Sequence, residues 1–251
     1  MKKFLFILFI IAQTIVANDS KNSFEAANQL YQAAKYEQAI QMYQQAAEEG
    51  KLESAELYFN LGNCFYKLHK VAPAIFNFEK AAQLNASDIE IQTNLEFARK
   101  AAIDDIKAVP TIGFKKLIQN CTSTFHYNTW AYIAVGFGFL FLLFFIGYYF
   151  SAATTYKRFF FIAMCLLFFS VFVSLFCAFY EKNRFDTDNP AIVFDALVVV
   201  KGEPKKASQD AFTLHEGAKV FIIDSVANWK KIQLADETTG WIEEKAIKKL
   251  R

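Results

Sequence analysis

Two uncharged hydrophobic runs, Trp130–Phe150 and Phe159–Tyr180, stand back to back in this chain, separated only by Ser151–Arg158. About 20 apolar residues at ~1.5 Å rise cross a hydrocarbon core of ~30 Å. Each run reaches that length without an Asp, Glu, Lys or Arg. A buried core helix of that length normally keeps a polar stripe, and neither run has one. The runs read as a transmembrane hairpin, with helices at 130–150 and 159–180 and a loop at 151–158. So short a loop places the chain before it and the chain after it on one side of a bilayer.

Charge identifies the side. Lys2 and Lys3 precede the apolar Phe4–Ile11, and Ala12 to Ala17 follow. A basic start, a short apolar stretch and a small residue make a signal peptide of residues 1–17, with Ala17 the last residue removed. Ile15 fits the third position before the cut poorly, which leaves an uncleaved anchor open. Either way the chain is exported from residue 18. The loop at 151–158 is then cytoplasmic, and it carries Lys157 and Arg158 without an acid, as short cytoplasmic loops do.

The formal net charge of +2 is too small to indicate a nucleic-acid partner. Cys64, Cys121, Cys165 and Cys177 have neither metal-ligand nor redox spacing and read as isolated thiols. His69, His126 and His215 lie in three different segments. Gly136-Phe137-Gly138 falls inside a span, where a phosphate loop has no place. The expectation is a protein without catalytic residues, metal or cofactor.

Residues 20–105 carry an internal repeat. A shift of 35 positions aligns Phe24 with Phe59, Ala27 with Gly62, Asn28 with Asn63, Leu30 with Phe65 and Tyr31 with Tyr66. It also aligns Ala39-Ile40 with Ala74-Ile75, Tyr43 with Phe78, and Ala46-Ala47 with Ala81-Ala82. Matched volume at matched spacing means one structural unit used twice. The small residues let two antiparallel helices approach, and the aromatics fill their seam. The pattern resembles the tetratricopeptide repeat: Leu61, Gly62, Phe65, Ala74, Phe78 and Ala81 match it. His69 stands in place of the usual turn glycine, Val71 of an aromatic and Ala86 of the terminal proline. A third helix, with Ile89, Ile91, Leu95 and Ala98 on its apolar face, caps the array, which spans residues 18–105. Two repeats and a cap are few for such an array, so completion by a partner or a second copy is expected.

In repeats of this kind the first helix of each pair lines the concave face. The candidate partner-binding groove is therefore Phe24, Asn28, Tyr31, Glu56, Phe59, Asn63 and Tyr66. Asparagine would bond a peptide backbone and the aromatics would pack against it. The alternative is that the same aromatics are ordinary inter-helix packing.

A linker at 106–129 contains Pro110, Gly113 and Phe114-Lys115-Lys116-Leu117-Ile118, read either as lying at the headgroup surface or as an ordinary linker helix. Beyond Pro190 the period turns alternating. Short strands are expected at Leu197–Val200, Val220–Ile223, Trp229–Leu234 and Gly240–Ile242, folding into a small closed barrel over 181–251. Leu214, Gly217, Val220, Trp229, Ile232, Gly240, Trp241 and Ile242 resemble the bacterial SH3-like domain. Trp229 and Trp241 are a candidate ligand patch, or at least one of them is core. The fold class is thus a multidomain membrane protein: an α-helical tetratricopeptide-repeat array, a two-helix transmembrane hairpin and a C-terminal all-β SH3-like barrel.

The order of these parts, with YFNLGNCFYKL, NASDIEIQTNLEFARKA and LHEGAKV…NWKKIQLADETTGWI, resembles the BatE family of the Bacteroides aerotolerance operon. The resemblance implies a bacterial inner membrane with both soluble modules periplasmic. It also implies membrane partners with von Willebrand A domains and, indirectly, a cytoplasmic MoxR-type ATPase. The expected function is a membrane-anchored scaffold or adaptor. The alternative is a tether or sensor whose barrel contacts peptidoglycan.

Overall fold

The computed structural model describes residues 22–250 apart from 51, 52, 108, 111 and 112. The predicted signal segment at 1–17 lies outside the described residues. The chain divides into two compact units. One comprises residues up to 109 together with 189 onward, and the other comprises residues 110–188.

The first unit begins with five helices: α1 over residues 22–32, α2 Tyr36–Gly50, α3 Ala55–Lys67, α4 Val71–Leu84 and α5 Ile89–Lys100. Their ends are set by local chemistry. The Ser54 hydroxyl accepts from the Leu57 N–H at 3.1 Å, and the Asp88 carboxylate accepts from the N–H groups of Glu90 and Ile91. These bonds occupy helix N–H groups that would otherwise lack partners. The 35-residue register holds in space. Ala34 and His69, one shift apart, both adopt positive φ, at 57° and 56°. Around them Lys35 N–H bonds the Leu30 carbonyl and Lys70 N–H bonds the Phe65 carbonyl, each at 2.9 Å. Both turns therefore close in one geometry although neither holds a glycine. In the second repeat Gly62 lets the Phe78 ring lie on the α3 backbone: a Cβ there would sit 2.6 Å from the ring.

The C-terminal module is one antiparallel sheet of seven strands in the order β3-β2-β6-β5-β4-β1-β7. The strands are β1 Pro190–Val193, β2 Leu197–Lys201, β3 Asp210–His215, β4 Lys219–Val226, β5 Trp229–Gln233, β6 Thr239–Glu243 and β7 Ile247–Lys249. Among the described residues no ladder joins β3 to β7, so the sheet is open, consistent with an SH3-like β domain. Val200, Leu214, Val220, Ile232 and Ile242 fill its core, and Ile106 packs against them.

Repeats and sheet are one body. Ile192 and Leu250 are buried with Ile75, Phe76, Phe78 and Leu95, and Phe194 packs against them. The Phe76 and Phe194 rings meet edge-on at 5.7 Å. Helix α4 is consequently buried on nearly every side, at Ala72, Ala74, Ile75, Phe76, Asn77, Phe78, Glu79 and Ala81. The array was expected to be completed by a partner or a second copy; along α4 the protein's own sheet packs against it.

The second unit holds α6 Phe114–Thr122, α7 Tyr127–Phe150 and α8 Thr154–Thr187. Helices α7 and α8 are long and apolar enough to cross a membrane. They pack antiparallel: Phe144 meets Phe160 near the turn, and Tyr127 meets Phe185 at the other end. Gly147 makes room for the Phe160 ring, which would lie 2.9 Å from an added Cβ. Most of their large apolar side chains face outward, as side chains that face lipid do. The Trp130 indole N–H donates to the Thr122 carbonyl at 2.8 Å and ties α6 to the start of α7.

Candidate functional site

Three helices, α1, α3 and α5, come first in their repeats or cap the array. Asparagines join them in sequence. The Asn60 amide donates to Asn28 Oδ1 at 3.3 Å, and the Asn94 amide donates to Asn63 Oδ1 at 3.0 Å. The Tyr43 hydroxyl of α2 also donates to Asn28 Oδ1, at 2.5 Å. A polar ladder therefore runs from α1 to α5. Buried and half-buried amides of this kind fix register because each must find a partner.

The residues expected in the groove lie in four different surroundings. Phe24 meets Tyr43 edge-on at 5.5 Å, and Phe59 lies against Phe78 at 5.8 Å. Both rings face the second helix of their own repeat and stay half-buried. Tyr31 packs on Tyr36 at 5.5 Å, across the first turn. Glu56 and Tyr66 are exposed, Tyr66 to 40%. Asn28 and Asn63 keep half-exposed positions on the ladder. Asn60 and Asn94 are the members that the sequence reading passed over. Their signal was a recurrence of asparagine at slightly less than the repeat length. Burial raises the Tyr43 and Tyr31 hydroxyls and pushes the Cys64 thiol behind them up to about 12.

On the sheet, Trp229 and Trp241 share one face. Ile232 and Ile242, at the alternate positions of β5 and β6, point into the core. Trp241 stands opposite both Lys201 and Lys231, and Trp229 opposite Glu243 and Val226. Neither tryptophan is fully buried. The core is built from aliphatics instead, so both indoles stay on the outer surface among charges.

Where array meets sheet, Glu79 lies buried on α4, with Arg99 Nη2 at 2.5 Å and Lys219 Nζ at 2.7 Å. Burial alone would raise its carboxyl, but the two cations outweigh it and hold the carboxyl below the usual range. Beside it opens a cleft of about 690 Å³ lined by Ile75, Arg99, Asp104, Ile106, Lys219 and Phe221 among others. Asp104 accepts from the His215 backbone N–H at 2.6 Å and pairs with its Nδ1 at 2.8 Å. These two residues come from separate segments and strap the chain after α5 to the end of β3. Among the described residues no three His, Cys, Asp or Glu are grouped to hold a metal ion.

The family model for the tetratricopeptide repeat matches residues 55–88, which is α3, α4 and the cap of α5. No curated protein matches the chain. The chain therefore carries a tetratricopeptide repeat, a module for protein–protein interaction, and the repeat supports a scaffold role.

Proposed function

We propose that the protein is a membrane-anchored scaffold that binds an extended segment of a partner protein along the α1–α3–α5 face. The observation that carries this reading is the division of the array's two sides. The α4 side is sealed by the protein's own sheet, whereas the asparagine ladder side keeps Tyr66 and Glu56 exposed. Asparagine amides and aromatic rims suit an extended backbone. The α7–α8 hairpin is the anchor in the bacterial inner membrane, and the array and the sheet are both periplasmic. One argument for a common side comes from packing: a body built from residues on both sides of the hairpin cannot be divided by a bilayer. The resemblance to the BatE family suggests partners with von Willebrand A domains, and a MoxR-type ATPase acting through them. A role in aerotolerance rests on that resemblance alone.

A photo-cross-linking residue at Asn63 or Tyr66, in the full chain in cells, should capture a membrane protein with a von Willebrand A domain. The same probe at exposed Glu237, in the turn between β5 and β6, should not. If neither ladder position yields a protein adduct, the reading fails. The outward Trp229 and Trp241 favour a second reading, a peptidoglycan tether. Full-length protein in detergent would then co-sediment with sacculi, and the Trp229→Ala, Trp241→Ala double variant would not.

A further inference from the structure

The second unit, residues 110–188, carries a pair of thiols that their sequence spacing conceals. Cys121 is the penultimate residue of α6, and Cys177 lies on α8 near the end of the hairpin remote from the turn. Helix α6 packs on α8, and this packing brings the Cys121 and Cys177 side chains close enough to interact. The contact is held in place from both sides. Thr122, next to Cys121, is buried and its carbonyl is fixed by the Trp130 indole. On α8 the buried side chains are Ser174 and Cys177, one turn apart on one face. Cys121 is exposed and Cys177 is 3% exposed, the asymmetry expected of an attacking thiol and a resolving thiol.

We infer that Cys121 and Cys177 form a disulfide that staples α6 to α8 at the exported end of the hairpin. The inference rests on the topology proposed above, because exported thiols meet oxidants and cytoplasmic ones stay reduced. The oxidant is the disulfide of a periplasmic thiol oxidase. The Cys121 thiolate attacks one sulfur of that disulfide and releases the other as a thiolate. Cys177 then attacks Cys121 Sγ, expels the second oxidant sulfur and closes the bond. Two thiols lose two protons and two electrons, and the oxidant disulfide becomes a dithiol. Glu181, one turn beyond Cys177, has a buried Oε2 without a hydrogen-bond partner and can take the Cys177 proton.

The test is acid trapping of the full chain from cells, followed by denaturation and alkylation with a polyethylene-glycol maleimide. Of the four cysteines, two should react before reduction and four after it. Cys121→Ser and Cys177→Ser should each show three reactive thiols under both conditions. Alkaline phosphatase fused after residue 251 reports topology separately. Four reactive thiols before reduction, in cells where the phosphatase is active, would overturn the pair. If the phosphatase is inactive, the topology reading is the one that fails. Full-length protein in detergent is then treated with diamide, and a Cys121–Cys177 linkage found by mass supports the pair while its absence overturns it.

Discussion

Ala34 and His69 show how a repeat tolerates the wrong residue in the right place. An L-residue in left-handed backbone costs roughly 1–2 kcal/mol, whereas glycine there costs only its extra chain entropy of about 0.5–1 kcal/mol. His69→Gly should therefore stabilise the first unit by roughly 0.5 kcal/mol, read as a higher urea midpoint. No gain would mean that the His69 side chain contributes contacts which offset the strain. Gly62 lies at the opposite extreme. A methyl at 2.6 Å from the Phe78 ring must displace a side chain that is 1% exposed, so Gly62→Ala should cost about 1–3 kcal/mol. An unchanged midpoint would show that the ring moves freely. Gly62 was legible in the sequence because the 35-position shift aligned it with Ala27, and His69 because it stands where the repeat usually has its turn glycine. The asparagine ladder was only half legible. Asn28 and Asn63 fell into register, but their partners Asn60 and Asn94 obey the spacing between neighbouring helices rather than the repeat length.

At the scale of elements, α4 and the sheet mark where sequence pattern stops. Four strands were expected within β2, β4, β5 and β6 because they contain apolar runs or alternation between turns. Strand β1 is buried at all four residues and is too short to show a period. Strand β7 ends in two exposed lysines. A register shift beside Val200 interrupts the β2–β3 ladder. The docking of α4 was invisible for another reason. Its ties join Glu79 to Lys219 and Asp104 to His215, pairs from different modules with no periodic relation between them. The Glu79 pair makes a measurable prediction. Its carboxyl is depressed in the folded protein, so its contribution is fully present above the unfolded value of about 4.3. That contribution is lost as pH falls through the lower folded value. Lys219→Ala removes one of the two cations and leaves Arg99. The expected loss is about 1–3 kcal/mol at neutral pH, below the 3–5 kcal/mol of a buried charge left with no partner. Acid unfolding of the variant should begin at a higher pH than in the unmodified protein. Equal acid midpoints would show that Arg99 alone holds the carboxylate.

For the whole molecule, the hairpin is an insertion into one folded body. Val109, where the chain leaves, bonds the Ala235 carbonyl at 3.0 Å, and Asn189, where it returns, accepts from the Ile222 N–H at 2.8 Å. The repeats alone would expose Ile75 and Phe76, which are 1% and 5% exposed beside the sheet. Two repeats are short of a self-sufficient array, and the sheet supplies the missing neighbour. Replacing 110–188 by a long glycine–serine linker should therefore give a protein that unfolds as one unit. Helical circular dichroism reports the repeats, and the remaining tryptophans, Trp229 and Trp241, report the sheet. Their urea midpoints should coincide. Phe76→Ala should lower both midpoints together, by the ~3–5 kcal/mol of a large core truncation. Two separated transitions, or a Phe76→Ala effect confined to the helical signal, would mean that the modules fold independently and touch without coupling. A partner gripping the asparagine ladder would then act on the repeats alone, whereas in the coupled body its binding stabilises the sheet as well.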